Sequence, residues 1–201
     1  MANTGSHMQL AVRLQPYLWR PLTDSAADTD FVLTLRNSAA AQQAFFTPRI
    51  SREEHVRFVA APERHEEINW IIEKSCGERV GMSGIYRVDP RNQRAETGRV
   101  IVLIPELYPL NLFVSAYVVF DHLGLNKLIG DALSSNTVVN GALERLGAVR
   151  EAVLREHMLK DGVLQDVFLY GMLARDWQKH KPCLIAEVGE PQILRHFQDE
   201  L

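Results

Sequence analysis

Few residues of this 201-residue chain stand in groupings that could do chemistry. Cys76 and Cys183 are its only cysteines, too few for a disulfide framework or a thiolate zinc site, and they point to a reducing, cytoplasmic setting. His180 shares the C-terminal segment with Cys183, but no further ligands stand at metal spacing, so no metal is expected. His157 and Asp161-Gly162 spell His-x-x-x-Asp-Gly, yet Asp-Gly between two apolar alternating runs is better explained as a hairpin turn. Glu96 offers a carboxylate beside the turn at 92–94, where it also reads as a solvated charge. Asn136 follows one apolar run and precedes another, a place where asparagine caps helices. Tyr108, flanked by Pro105 and Pro109, reads as an exposed loop tyrosine rather than a proton donor.

The elements that must position these groups follow from apolar spacing. Residues 10–18 alternate loosely as a first strand, and Phe31, Val32 and Leu35 mark a helix over 28–36, capped by Asp28 or Thr29. Ser51 and Glu54 form a capping box opening a helix with Val56, Val59 and Ala60 on one face. Between these helices, Phe45 and Phe46 are expected in the core. Strands follow at 68–74, 80–88 and 95–104, separated by Cys76-Gly77-Glu78 and Asp89-Pro90-Arg91-Asn92. The run 100–104 is apolar on both faces, as a strand covered on two sides should be. Phe113, Ala116, Tyr117 and Phe120 place a helix over 109–123, ended by Gly124. A short strand at 127–133 precedes a helix marked by Val139, Ala142, Leu143 and Leu146 and stopped by Gly147. Runs at 149–158 and 163–173 close the pattern as a hairpin, and a short helix is expected at 193–198. Strands alternate with helices only in the second half. The expected fold class is therefore α/β (α+β), a mixed sheet with helices on both faces.

Composition bounds the partners. With 46% hydrophobic and 23% charged residues the chain sits near the globular mean, which excludes collagen-like and wholly disordered classes. A net charge of −3 gives no reason to expect nucleic acid or an anionic membrane as partner. The longest apolar stretch, 111–120, has core-helix length, so no membrane span is expected. Gly5-Ser6-His7-Met8 looks like the scar of a cleaved expression tag, so residues 1–8 are set aside; 9–178 form one domain and 179–201 a tail. A homodimer is left open.

The element order and several short motifs resemble the GNAT acyl-CoA N-acyltransferases, in the branch of the ribosomal-protein N-terminal acetyltransferases. The motifs are Trp19-Arg20-Pro21-Leu22, Ala95-Glu96-Thr97-Gly98, Leu123-Gly124-Leu125-Asn126-Lys127, and Asn136 followed by Leu146-Gly147. Gly162, Asp166, Tyr170-Gly171-Met172-Leu173 and Trp177 resemble that family's closing strands. The resemblance implies a mostly antiparallel sheet of six to seven strands and transfer of an acyl group, most simply from acetyl-CoA as co-substrate, to a primary amine. The amine acceptor is a protein N-terminus or a small molecule.

The resemblance also implies roles. Glu96 becomes the base that takes the amine proton, directly or through a water. A bulge in the central strand, at Val100, Ile101, Val102 and Leu103, supplies backbone pairing for the pantetheine arm and a donor for the oxyanion. Pro109, Leu110 and Asn111, opening the central helix, lie against the coenzyme, and the Asn136 amide reaches coenzyme or an ordered water. Two departures stand out. The family's glycine-rich basic loop, whose bare N–H groups cradle the pyrophosphate, is replaced by Pro105-Glu106-Leu107-Tyr108-Pro109-Leu110-Asn111, with no glycine and no basic residue. Leu143 stands where a tyrosine often protonates the thiolate, leaving the general acid unassigned. The alternative is a non-catalytic GNAT-like domain that binds a ligand or a protein.

Overall fold

The apolar runs and turn residues fold, in a computed structural model that describes residues 10–44, 49–61 and 67–194, around one sheet of nine strands. The elements run β1 (Ala11–Leu14), β2 (Tyr17–Pro21), α1 (Ala26–Arg36), α2 (Ala39–Ala44), α3 (Arg52–Ala60), β3 (Ile68–Lys74), β4 (Arg79–Asp89) and β5 (Arg94–Val102). They continue with α4 (Leu107–Tyr117), β6 (Lys127–Leu133), α5 (Thr137–Leu146), β7 (Val149–Lys160), β8 (Val163–Leu173), α6 (Ala174–Val188) and β9 (Gln192–Leu194). The sheet order is β7-β8-β6-β5-β4-β3-β2-β1-β9, and every neighbouring pair is antiparallel except β5 and β6. The strand count exceeds the expected six to seven for two reasons. The run at 10–18 breaks at Gln15-Pro16 into β1 and β2, and a strand that follows α6 adds to the edge.

Helices cover both faces. One core holds Trp19, Trp70, Phe113, Val114, Leu143, Tyr170 and Trp177 between the sheet and α4, α5 and α6. The other is smaller: Val32, Leu35 and Ala41 from α1 and α2 pack on Ile71, Met82 and Ile101 of the sheet. Each buried side chain of this size contributes about 1.5–3 kcal/mol by leaving water, so the two layers fix which strand faces point where.

Several boundaries differ from the sequence reading. Helix α1 starts at Ala26 because Ser25, not Asp28 or Thr29, is the cap: its hydroxyl accepts from the Asp28 N–H at 3.2 Å. Asp28 is freed for a buried ion pair. The capping box of α3 is present in full, the Ser51 N–H donating to Glu54 Oε2 at 2.6 Å and the Glu54 N–H to Ser51 Oγ at 3.2 Å. That helix turns His55 inward with Phe58 and Val59 half-buried, while Val56 is 51% exposed. The strand expected at 95–104 ends at Val102, and Leu103 is 60% exposed rather than covered. The tail holds α6, which spans the 178/179 boundary, and the strand β9 where a helix over 193–198 was expected; residues 195–201 lie outside the described residues. So do the proposed tag residues 1–8 and the pair Phe45 and Phe46. No helix among the described residues is long and apolar enough to cross a membrane.

Candidate active site

The single parallel pairing is the weak seam of the sheet. Strands β5 and β6 share only the pairs Arg94↔Lys127, Ala95↔Leu128 and Glu96↔Ile129. Beyond Glu96 and Ile129 each strand keeps its other neighbour, β4 for β5 and β8 for β6, so the two halves of the sheet part. A bulge fixes the parting on the β5 side: Gly84↔Gly98 is followed by Met82↔Ile101, which leaves one extra residue at Arg99–Val100. Arg99 takes φ 56°, a left-handed conformation that turns the strand away from β6. The β5 edge past Glu96 therefore has no strand partner on that side.

A cleft of 280 Å³ opens in this gap, walled by Tyr86, Arg99, Val100, Tyr108, Asp131 and Asn136 among others. It passes through the sheet. A side chain on Gly130 would meet Leu143 Cδ2 of α5 at 3.4 Å and Thr97 Cγ2 at 3.9 Å, so Thr97 and Gly130 face the α4–α5 side. Their neighbours Glu96, Gly98 and Asp131 face the opposite side, since successive strand residues alternate. Tyr86 lies across that second face, its hydroxyl 2.6 Å from where a Cβ on Gly98 would stand; only glycine permits the approach. Arg99 stacks on the Tyr86 ring at 4.4 Å and on Phe58 at 5.1 Å, and its guanidinium donates to Glu67 Oε1 and Asn69 Oδ1, each at 3.0 Å.

Asp131 dominates the electrostatics of the gap. Asp131 is exposed to solvent at the cleft mouth, and partial desolvation by the protein around it, followed by the charge of Glu96, raises its carboxyl above the usual range. A hydrogen bond from its own backbone N–H, then the charges of His157 and Arg87, partly offset this. Its charge is felt on both faces. Burial first, then Asp131 and Glu96, pushes the Tyr86 phenol up to about 12, and burial with Asp131 pushes Tyr108 up as well. Burial lowers the Arg36 guanidinium, helped by the charge of Arg99.

The expected residues fall unevenly on this geometry. Val100 lines the cleft at the bulge, whereas Ile101 points into the α1-side core, Val102 packs toward the other, and Leu103 projects from the strand end. Asn136 does both things open to it: its Oδ1 accepts from the Val139 N–H at 3.2 Å, capping α5, and it borders the cleft. Glu96 sits at the last pair before the gap but does not line the cleft; it accepts from Arg87 Nη1 at 3.0 and 3.3 Å. Asn111 is turned fully into the core, where Oδ1 accepts from Trp19 Nε1 at 2.9 Å, so it offers no surface to a coenzyme. Pro109 has no N–H, and Leu110 packs against the core. The Leu107 and Tyr108 N–H groups already donate to Ile104 O and Pro105 O, so the α4 terminus has few amides free for a phosphate. Tyr108 is no exposed loop residue: it lies in the first turn of α4, against the cleft. Sequence reasoning passed over Tyr86 and Asp131. The signal for Asp131 was a Gly-Asp pair interrupting the apolar run of β6; Tyr86 gave none.

A mixed sheet that parts at its one parallel pair, with a bulge at the parting and a helix on each side of the opening, defines an acyltransferase class. The sequence model of the Acetyltransferase (GNAT) domain matches residues 18–149, about two thirds of the chain, and the chain belongs to this family. It is 29% identical over 123 residues to the uncharacterized N-acetyltransferase YoaA of Bacillus subtilis, a match covering 58% of this chain and 68% of that protein. Among solved structures, Mycobacterium smegmatis RimJ in complex with CoA-disulfide superposes with a TM-score of 0.73 at 17% identity, over 90% of this chain and 94% of that one. Spermidine N-acetyltransferase from Vibrio cholerae, in complex with CoA and spermine, gives 0.70 at 20% identity, over 85% and 98%. Ribosomal-protein-S5-alanine acetyltransferase from Vibrio fischeri gives 0.68 at 15%, over 83% and 98%. The protein is an acyl-CoA-dependent N-acetyltransferase, and the non-catalytic alternative is set aside.

Proposed function

We propose that the protein transfers an acetyl group from acetyl-CoA to a primary amine, a protein N-terminus or a small molecule, inside the gap between β5 and β6. The observation that carries this is the parting of the two strands at Glu96 and Ile129 beside the bulge at Arg99. An extended pantetheine arm has amides spaced to pair with an open strand edge, and β5 past Glu96 is such an edge. A thioester carbonyl laid there meets backbone N–H groups held by the bulge, which would stabilise the oxyanion without further reorganisation. The amine enters from the face of Tyr86 and Asp131, where acidic groups favour a cationic acceptor over an anionic one. Pairing through the arm must carry most of the affinity, because the α4 terminus holds Pro109 and already bonded amides where phosphate would rest.

Calorimetric titration of the whole chain with acetyl-CoA tests the reading, followed by thiol release with spermine and with an alanine-initiated peptide as acceptors. Binding in the micromolar range or weaker, with turnover on at least one amine, is expected. No heat and no turnover would end it.

A further inference from the structure

We propose that Asp131, rather than Glu96, takes the proton from the acceptor amine, and that Glu96 works on Asp131 instead of on the substrate. The inference rests on the amine acetyltransferase reading and goes beyond it by assigning the proton path. Continuing the parallel register past Glu96↔Ile129 would set Asp131 opposite Gly98, one residue before the bulge at Arg99. There the strands no longer pair, so the carboxylate stands across an open gap from the backbone that would hold the thioester carbonyl. Asp131 lines the cleft and Glu96 does not. Among the described residues Asp131 makes no hydrogen bond or ion pair with another side chain, while both Glu96 oxygens accept from Arg87. The second bulge, in β4, is what engages Glu96: three residues Tyr86 to Val88 oppose two of β5, and Arg87 at φ 48° turns toward it.

The step balances as follows. The amine nitrogen attacks the thioester carbonyl carbon and forms the N–C bond, while Asp131 accepts the N–H proton. The tetrahedral intermediate collapses, the C–S bond breaks, and the thiolate leaves and takes a proton from solvent. A base is most effective when it accepts protons near the working pH. Partial desolvation and the negative charge of Glu96 move Asp131 in that direction, against the weaker opposite pull of its own backbone N–H, His157 and Arg87. The groups facing Asp131 are Glu96 from β5, Tyr86 and Arg87 from β4, Tyr108 from α4 and His157 from β7. Neither tyrosine is ionised at neutral pH, since both phenols are pushed up. Glu96 is thus a positioning residue that sets the basicity of its neighbour.

Asp131→Asn and Glu96→Gln, each checked for cooperative unfolding with a midpoint no lower than the parent's, separate the two roles. With acetyl-CoA and spermine or the alanine-initiated peptide, Asp131→Asn should lower turnover about 10² to 10⁴-fold, the usual range for a lost base, with acetyl-CoA affinity unchanged. Glu96→Gln should keep most of the turnover and move the acid limb of the rate profile to lower pH. Turnover of Asp131→Asn within severalfold of the parent overturns the inference, as does a collapse of Glu96→Gln without any shift of the limb. A ¹³C carboxyl titration needs no acceptor: Asp131 should titrate above the ordinary aspartate range and fall toward it in Glu96→Gln. An ordinary value in the parent overturns the inference, while absence of acetyl-CoA binding would instead remove the function on which it rests.

Discussion

Asp28 and Asp131 are both aspartates held among arginines and another acid, and their surroundings drive them in opposite directions. Asp28 is 1% exposed, at the junction of β2, α1 and β4. It accepts from Arg20 at 2.7 and 2.8 Å, from the Thr23 hydroxyl at 2.7 Å and backbone at 3.0 Å, and from Arg79 at 3.2 Å. Arg20 also donates to Glu73 at 2.9 Å. Burial alone would raise the Asp28 carboxyl, but the hydrogen bonds of Arg20 and Thr23 outweigh it and hold it at about 2. Asp131 lies where the sheet has opened, beside an acid whose arginine is already engaged, and its carboxyl is raised. A buried carboxylate held by several donors serves the fold; an exposed one at a gap, with no side-chain partner, is available for chemistry.

The contrast can be broken first at Asp28. Asp28→Asn leaves the Arg20 and Arg79 charges short of a partner, so unfolding free energy should fall by about 3–5 kcal/mol, read from denaturant midpoints, while the pH dependence of turnover in the surviving folded enzyme stays as in the parent. A shifted acid limb would show that the two aspartates are coupled.

The next effect is on acid stability. Because the folded carboxyl at about 2 lies below the ordinary 3.8, Asp28 stabilises the protein fully above pH 4 and loses that contribution as pH falls toward 2. The shift corresponds to about 2 kcal/mol, and acid unfolding of Asp28→Asn should lack this component. Asp131 has the opposite sign. Its raised carboxyl favours the folded state only when protonated, so Asp131→Asn should melt slightly higher than the parent at neutral pH.

Two smaller tests sharpen the geometry of the gap. Gly98→Ala places a methyl 2.6 Å from the Tyr86 hydroxyl and forces the ring aside. A cost of about 1–3 kcal/mol in stability and a higher KM for the acceptor, with acetyl-CoA affinity kept, are expected. Glu106→Gly removes a negative charge from the α4 terminus and should tighten acetyl-CoA binding only a few-fold, worth about 0.3–1 kcal/mol, since the Leu107 and Tyr108 N–H groups remain bonded. A large gain would show that the loop reaches the pyrophosphate.

Much of the scaffold was legible before any coordinates. The strands at 68–74, 127–133 and 163–173 match the observed β3, β6 and β8 end for end, because alternation and flanking turns are local. Asp161 at φ 51° and Gly162 at φ 78° form the hairpin turn that Asp-Gly announced. The Ser51 box and the Asn136 cap were readable for the same reason, each acting within four residues. The helix starts at Ala26 and Leu107 were missed where a serine outside the apolar pattern or a proline-bearing first turn set the end.

The site was legible only in part. Local pattern and motif resemblance determined the order of elements from β3 to β8, the family and the strand that carries the bulge, since these depend on spacing along one segment. Which residues of that strand face the cleft was decided in three dimensions, by a bulge whose single extra residue reverses the facing of all that follow. The choice between Glu96 and Asp131 was decided the same way. Both are carboxylates on strands, and nothing along either strand says that one meets Arg87 and the other meets a gap. Asn111 shows the converse: a polar residue at the mouth of the expected loop turns inward because Trp19, 92 positions away, needs an acceptor for its buried N–H. Periodicity is a property of one segment, whereas pairing, exposure and charge environment are properties of segments brought together, and only the folded chain supplies them.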